Sequence, residues 1–181
     1  MQTIETGQHA LRRMFFASIE NIFQTELGIA DPTLTDYLAE LLCRFVRFDA
    51  IHGIRDTEGR RLVEVAEMLV EAEYRSGGPR REIYRHIGDF TLFWSGLYPE
   101  ALNALPSTPK QDHLIDYCEQ GKRSYYLAST YNEGRFAEQA PLLRRLSDEF
   151  EICGLGLSRV RQEWIRAAMT RPTPPPDPSS N

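Results

Sequence analysis

Apolar residues recur at three- and four-residue intervals along most of this chain, which is the spacing of amphipathic helices. The first such stripe includes Leu11, Phe15, Ile19 and Phe23. No segment shows the strict alternation of a β-strand. The pattern predicts an all-α, single-domain helical bundle of about seven helices: one ending near residue 28, then about 32–52, 59–75, 80–98, one beginning at 112, 135–153 and 157–169.

Several local signals fix the expected helix ends. Asp31 followed by Pro32 offers an N-cap and a proline in the first turn, so a helix should begin there. Pro99 should end the fourth helix. We also expect the sixth helix to bend at Pro141 and to be separated from the seventh by a break at Gly154 and Gly156.

The fourth predicted helix is the most informative segment, because residues 82–100 are apolar almost all the way round yet include His86 and Asp89. A helix that is hydrophobic on every face is buried, so we expect it at the centre of the bundle. A buried carboxylate needs a partner, since an unpaired buried charge costs several kcal/mol. The favoured partners are one turn earlier, Arg85 for Asp89 and Glu82 for His86. The alternative is a cation from another helix, drawn from Arg44, Arg47, Lys122 and Arg123.

The fifth predicted helix carries Tyr117, Gly121 and Tyr125 at four-residue spacing. These residues therefore share one face, and the missing side chain of Gly121 would let another helix approach closely. We expect Arg85, His86, Asp89, Tyr117 and Tyr125 to form a buried polar cluster. These residue types suit acid–base chemistry, so this cluster is the best candidate for a functional site.

Composition sets the domain organisation and the expected compartment. With 181 residues, 41% of them hydrophobic and 26% charged, the chain suits one globular domain. We assign residues 1–169 to an all-α domain and residues 170–181, which are rich in proline, to a disordered tail. No apolar run approaches the ~20 residues that cross a bilayer, and the amino-terminal residues are polar, so we predict a cytoplasmic protein without membrane contact.

Charge and cysteine content narrow the classes of partner. The net charge of −5 argues against nucleic acid as a partner, because such binding draws on neutralised phosphates. The three cysteines, Cys43, Cys118 and Cys153, are widely spaced and lie among apolar residues. We interpret them as reduced core thiols, with a catalytic role for Cys118 as the alternative.

Metal and cofactor signatures are weak in this sequence. Asp49 with His52, and His86 with Asp89, are three apart and so are weak candidates for metal ligands on a helical face. The chain lacks the Glu-x-x-His pairs of di-iron bundles, the paired cysteines of zinc sites and the glycine-rich nucleotide motifs. We therefore predict no metal and no cofactor.

One longer pattern resembles a known group. Residues 88–100 read Gly-Asp-Phe-Thr-Leu-Phe-Trp-Ser-Gly-Leu-Tyr-Pro-Glu, and Tyr117, Gly121 and Tyr125 follow. This is similar to a family of uncharacterised bacterial all-helical proteins with a G-D-x-x-L-F-x-x-G-x-x-P-E pattern. The resemblance implies a bacterial cytosolic protein. It implies no activity and assigns no catalytic residues.

Two function classes follow from these observations. The first is a non-catalytic protein-interaction or regulatory module, with a protein partner or a second copy of the chain as the ligand, because no complete catalytic constellation is visible. The alternative is a small-molecule- or metal-dependent enzyme of the helical-bundle type. Its site would lie around His86 and Asp89, with His52, Tyr117 and Tyr125 as further contributors.

Overall fold

The computed structural model describes residues 2–45, 54–55, 58–59, 64–103 and 113–170. These residues form eight α-helices and one short 3₁₀ turn, and no β-strand occurs among them. The predicted all-α class is therefore confirmed. The helices are α1 (Gln2–Thr25), α2 (Pro32–Phe45), α3 (Val65–Tyr74), α4 (Gly77–Leu97), α5 (Pro99–Asn103), α6 (His113–Ser129), α7 (Ala140–Asp148) and α8 (Phe150–Met169), with the 3₁₀ turn at Gly134–Phe136.

Helices α1 and α2 form a hairpin whose turn is set by Gly28 and Asp31. Gly28 has a φ of +69°, a conformation that glycine adopts without a steric cost. Asp31 then caps α2 as predicted, because its Oδ1 accepts hydrogen bonds from the backbone N–H of Thr33 at 2.8 Å and of Leu34 at 3.4 Å. The other oxygen of Asp31 pairs with Arg145 of α7. This one side chain thus starts α2 and links it to α7.

Helix α4 lies at the centre of the bundle, as its sequence predicted. It packs against α2, α3, α5, α6 and α8. Every residue from Ile87 to Phe93 is buried, so all sides of the helix face protein at that level. Arg161 of α8 donates to the carbonyl oxygen of Leu97 at 2.6 Å and satisfies one of the acceptors that the helix end leaves open.

The carboxyl-terminal part of the domain differs from the prediction. Pro141 lies in the first turn of α7, where its missing N–H costs nothing, so it starts a helix instead of bending one. The break falls at Glu149, with φ −110° and ψ 24°, and α8 runs uninterrupted through Gly154 and Gly156. The expected break at these glycines was therefore wrong.

The second helix agrees with its prediction over the described residues, and the third begins later than predicted. The described part of α2 ends at Phe45, and the predicted extension to residue 52 lies outside the described residues. Helix α3 itself begins at Val65, because Glu64 is its N-cap residue with φ −105° and ψ 141°, so the predicted start near Gly59 was wrong. Residues 60–63 lie outside the described residues as well. Helix α4 ends at Leu97, just before Pro99 as predicted, and the short helix α5 begins at Pro99 itself.

Glycines allow three pairs of helices to approach closely. A Cβ at Gly88 would lie 2.6 Å from the ring of Tyr125, and one at Gly121 would lie 2.5 Å from Oγ1 of Thr91 and overlap the ring of Phe150. At Gly156 the overlap would be with the ring of Phe23. The close approach predicted at Gly121 is thus confirmed. No described helix is long and apolar enough to span a bilayer.

Two glycines on α8 provide a matched test of this packing. Gly156→Ala should destabilise the protein by about 1–3 kcal/mol, because the added methyl group overlaps a ring that is fully buried. In Gly154→Ala the added methyl group would have only Leu92 near it, at 4.0 Å. This substitution should stabilise the protein by about 0.5–1 kcal/mol, because alanine has a better helix propensity than glycine. Urea denaturation of both variants measures the difference, and equal effects would contradict the close contact at Gly156.

Candidate functional site

The centre of the candidate site is Asp89, which lies in the middle of α4 with only 2% of its surface exposed. A carboxylate in such a place loses its hydration, and the loss must be offset by charge and hydrogen bonds from the protein. The prediction that Asp89 is buried is therefore confirmed. Its partners decide what the site can do.

Four side chains donate hydrogen bonds to the two oxygens of Asp89. The hydroxyl groups of Tyr37 and Tyr125 donate to Oδ1 at 2.6 and 2.8 Å. On Oδ2, Arg44 donates through Nη2 at 2.9 Å and Arg85 through Nη1 at 3.1 Å. The predicted pairing with Arg85 is present, and Arg44, one of the alternative cations, is bound as well.

Three helices supply these donors. Tyr37 and Arg44 are seven residues apart on α2, which places them two turns apart on one face, and the Arg44 guanidinium lies 5.4 Å from the Tyr37 ring. Arg85 lies one turn before Asp89 on α4 itself. Tyr125 reaches across from α6 because Gly88 leaves room for its ring. Asp89 thus links α2 and α6 to the central helix.

A second carboxylate balances the arginines of this region. Glu82 accepts a hydrogen bond from Nε of Arg85 at 3.0 Å and also pairs with Arg81. Although partial burial opposes its charged form, Arg85 and Arg81 together hold the pKa of Glu82 below its usual value. Two carboxylates therefore face three guanidinium groups at this level of the bundle.

The two tyrosines of the site are held in their protonated form. Burial is the main cause of the raised pKa of Tyr37 and of Tyr125, and the negative charge of Asp89 raises both further. Neither hydroxyl is therefore a base near neutral pH. Each is a fixed hydrogen-bond donor to Asp89.

The other two members of the predicted cluster lie among aromatic rings. His86 stacks on Phe45 with the ring centres 5.8 Å apart, and Tyr117 lies 6.4 Å from Phe90. Burial and the charge of Glu64 raise the pKa of Tyr117. The structure thus brings Arg85, Asp89 and Tyr125 into direct contact. It places His86 and Tyr117 on aromatic surfaces nearby.

Tyr37, the nearest partner of Asp89, was not among the predicted members of the cluster. A usable signal existed, because Tyr37 lies between Leu34 and Leu38 in the apolar stripe of α2. A tyrosine hydroxyl carried into the core by such a stripe needs an acceptor. The partner lies 52 residues away, so only the packing of α2 on α4 identifies it.

Metal ligation and thiol chemistry receive little support from the described residues. Of the weak metal candidates, Asp49 and His52 lie outside the described residues, and Asp89 is engaged by four donors. No group of three His, Cys, Asp or Glu side chains in the described part of the chain could hold a metal ion. Burial raises the pKa of Cys153 to about 12, so its thiol stays protonated near neutral pH.

The geometry describes a closed, satisfied network around Asp89. Each oxygen of the carboxylate accepts two hydrogen bonds, Oδ1 from two protonated tyrosine hydroxyl groups and Oδ2 from two charged guanidinium groups. Such a network holds helices in place.

No family model, curated protein or solved structure matches this chain.

Replacing Asp89 tests the network most simply. Asp89→Ala should destabilise the protein by about 3 kcal/mol, because it removes the buried carboxylate that the partly buried Arg44 and Arg85 share and leaves the hydroxyl groups of Tyr37 and Tyr125 without their acceptor. Tyr37→Phe should cost about 1 kcal/mol, since Tyr125 still donates to the same oxygen. Chemical denaturation at neutral pH measures both. An Asp89→Ala protein as stable as the parent would contradict the network.

Alkaline pH tests the tyrosines. A buried tyrosine has a higher pKa in the folded protein than in the unfolded chain, where the pKa is near 10. Below pH ~10 the hydroxyl is protonated in both states and its full contribution to stability is present. Above that pH the unfolded chain ionises first, so the contribution is lost as the pH rises towards the pKa of the folded protein. Above pH ~10, Tyr37 and Tyr125 should each lower the free energy of unfolding by about 1.4 kcal/mol per pH unit.

Denaturation curves from pH 9 to 11 measure this slope. Tyr37→Phe should make the fall in the free energy of unfolding with pH less steep, because one buried hydroxyl is removed. Tyr126→Phe is the control and should leave this fall unchanged, since Tyr126 is exposed on the same helix as Tyr125. Equal slopes for the parent and Tyr37→Phe would show that the Tyr37 hydroxyl is not held as described.

Proposed function

We propose that this protein is a non-catalytic helical module that binds a protein partner through the exposed face of α3. The single observation that supports this is a pair of large apolar side chains on that face. Val70 is 53% exposed and Tyr74 is 78% exposed, and the two are four residues apart. They therefore lie next to each other on one side of the helix.

The two faces of α3 differ in what they contact. Met68 and Ala72 are fully buried and hold the helix against α4. Ala66 is exposed and continues the line of Val70 and Tyr74 along the outer side. Tyrosine is enriched among the residues that dominate binding energy in protein interfaces. An exposed Ala-Val-Tyr line on a firmly packed helix thus offers a preformed apolar contact.

Charge on this face favours one kind of partner. Glu73 is exposed three residues after Val70 and therefore lies on the same side of the helix, and Glu64 is exposed immediately before the start of α3. A segment that combines apolar side chains with lysine or arginine would complement both the apolar line and these carboxylates. The proposed partner is therefore a basic, apolar segment of another protein.

The Asp89 network also favours a non-catalytic role. A general acid or base must exchange a proton with a substrate, and this requires hydrogen-bond access to it. Asp89 is almost without solvent contact, and both of its oxygens already accept hydrogen bonds from the protein itself. An enzyme working around His86 and Asp89 would have to break these contacts at every turnover.

Site-specific photo-crosslinking in the native cells tests the proposal. A photo-reactive side chain at position 70 should give one discrete adduct with another protein, and the same group at the exposed position 126 should not. Glu73→Lys in the same chain should lower the adduct yield by about tenfold, because a basic partner would meet a like charge. Thermal unfolding should show that Glu73→Lys folds normally.

Several outcomes would contradict the proposal. Equal adducts from positions 70 and 126 would show non-specific contact, and an adduct between two copies of this chain would identify self-association instead. An adduct whose crosslinked peptide lacks basic residues, or whose yield is unchanged by Glu73→Lys, would remove the assigned chemistry of the partner.

A further inference from the structure

Helix α8 buries one side and exposes another. It packs against α1, α4 and α6, and its middle part is buried through Cys153, Gly156, Leu157 and Val160. Away from these residues, Ile152 is 44% exposed and Leu155 is 45% exposed. The two are three residues apart and are therefore neighbours on the surface of the helix. A pair of large apolar side chains thus lies on the outer side of α8.

Opposite charges lie on the two sides of this apolar pair. Glu151 comes four residues before Leu155 and Arg159 four residues after it, and both are exposed. The three residues therefore lie on one line along the helix. Four residues span about 6 Å of helix axis, so the acid and the base are equally far from Leu155.

A line ordered as acid, apolar and base is complementary to a second copy of itself that runs in the opposite direction. With a two-fold axis at Leu155, the two α8 helices are antiparallel and this side chain meets its own equivalent. Glu151 of each copy then lies opposite Arg159 of the other, so the attractive pair occurs twice. A parallel arrangement would instead bring like charges together.

The partners that these charges have within the chain are compatible with this arrangement. Lys122 pairs with Glu151 at 2.7 Å, and Arg159 pairs with Glu26 at 2.7 Å. Both pairs are at the surface, where an isolated ion pair contributes little to stability. Contact between two copies would join them into a row of alternating charge, in which each central group gains a second partner.

We propose that this protein forms a weak two-fold dimer through the outer side of α8, with Ile152 and Leu155 at its centre and Glu151 opposite Arg159 of the other copy. Two apolar side chains per copy supply much less than the roughly 800 Å² per partner of a standard interface. We therefore expect a Kd of about 100 µM. This surface lies on a different helix from the α3 face and does not depend on the protein partner proposed there.

Sedimentation equilibrium of the full chain tests the proposal. The parent protein should change from monomer to dimer between about 10 µM and about 1 mM. Glu151→Arg and Arg159→Glu should each weaken the dimer by about tenfold or more, because each places like charges at both symmetric contacts. Arg135→Glu makes the same charge change at an exposed position away from α8 and should leave the Kd unchanged.

An equimolar mixture of Glu151→Arg and Arg159→Glu provides the decisive measurement. A mixed pair has opposite charges at both contacts, so the mixture should associate at least as tightly as the parent. Such recovery also shows that both variants are folded. A parent protein that stays monomeric at about 1 mM, or a mixture that does not recover the dimer, would overturn the proposal.

A further variant separates the two surfaces. Val70→Ser changes the α3 face and should leave the dimer intact, because Val70 is not on α8. Loss of the dimer in Val70→Ser would place the second copy on α3 and would overturn the assignment to α8.

Discussion

A carboxylate with almost no water around it is stable only if its protein environment supplies what hydration would have supplied. At Asp89 that replacement consists of two phenol hydroxyls on one oxygen and two guanidinium groups on the other. The donors belong to α2, α4 and α6, so the energetic need of one side chain fixes three helices relative to each other. Removing a donor leaves the charge of Asp89 less compensated, and removing Asp89 takes away the carboxylate that Arg44 and Arg85 share.

The network depends on backbone approach as much as on charge. Tyr125 can donate to Asp89 only because Gly88 leaves space for its ring, and α6 can lie that close only because Gly121 has no side chain facing Phe150 and Thr91. The polar contact and the glycine contacts therefore support each other. Helix α3, which carries the proposed binding surface, packs on the same central helix α4.

Sequence patterns predicted the structure most reliably where the signal is local. The apolar stripes identified the helices, the Asp31-Pro32 pair identified the start of α2, and an acid inside the apolar segment of α4 required a cation one turn away. Sequence patterns failed where tertiary packing decides the outcome. Gly154 and Gly156 looked like a helix break, but α8 is continuous there because the ring of Phe23 fills the space at Gly156.

The candidate site shows the same limit. Arg85 could be assigned from its spacing to Asp89, whereas Tyr37 and Arg44 lie 52 and 45 residues away and become partners only through the packing of α2 on α4. His86 and Tyr117 were grouped with Asp89 because they share helices with its partners. Spacing along a helix gives the face of a residue, but the neighbouring helix determines whether that face meets a ring or a carboxylate.

Native-state hydrogen exchange in Asp89→Asn, compared with the parent protein, tests the linking role of this carboxylate most directly. The substitution keeps the volume of the side chain and removes its charge. If Asp89 joins the three helices, the slowly exchanging amides of α2, α4 and α6 should lose protection together and by a similar factor. Loss of protection confined to the amides of α4 around residue 89, with α2 and α6 unchanged, would contradict this account.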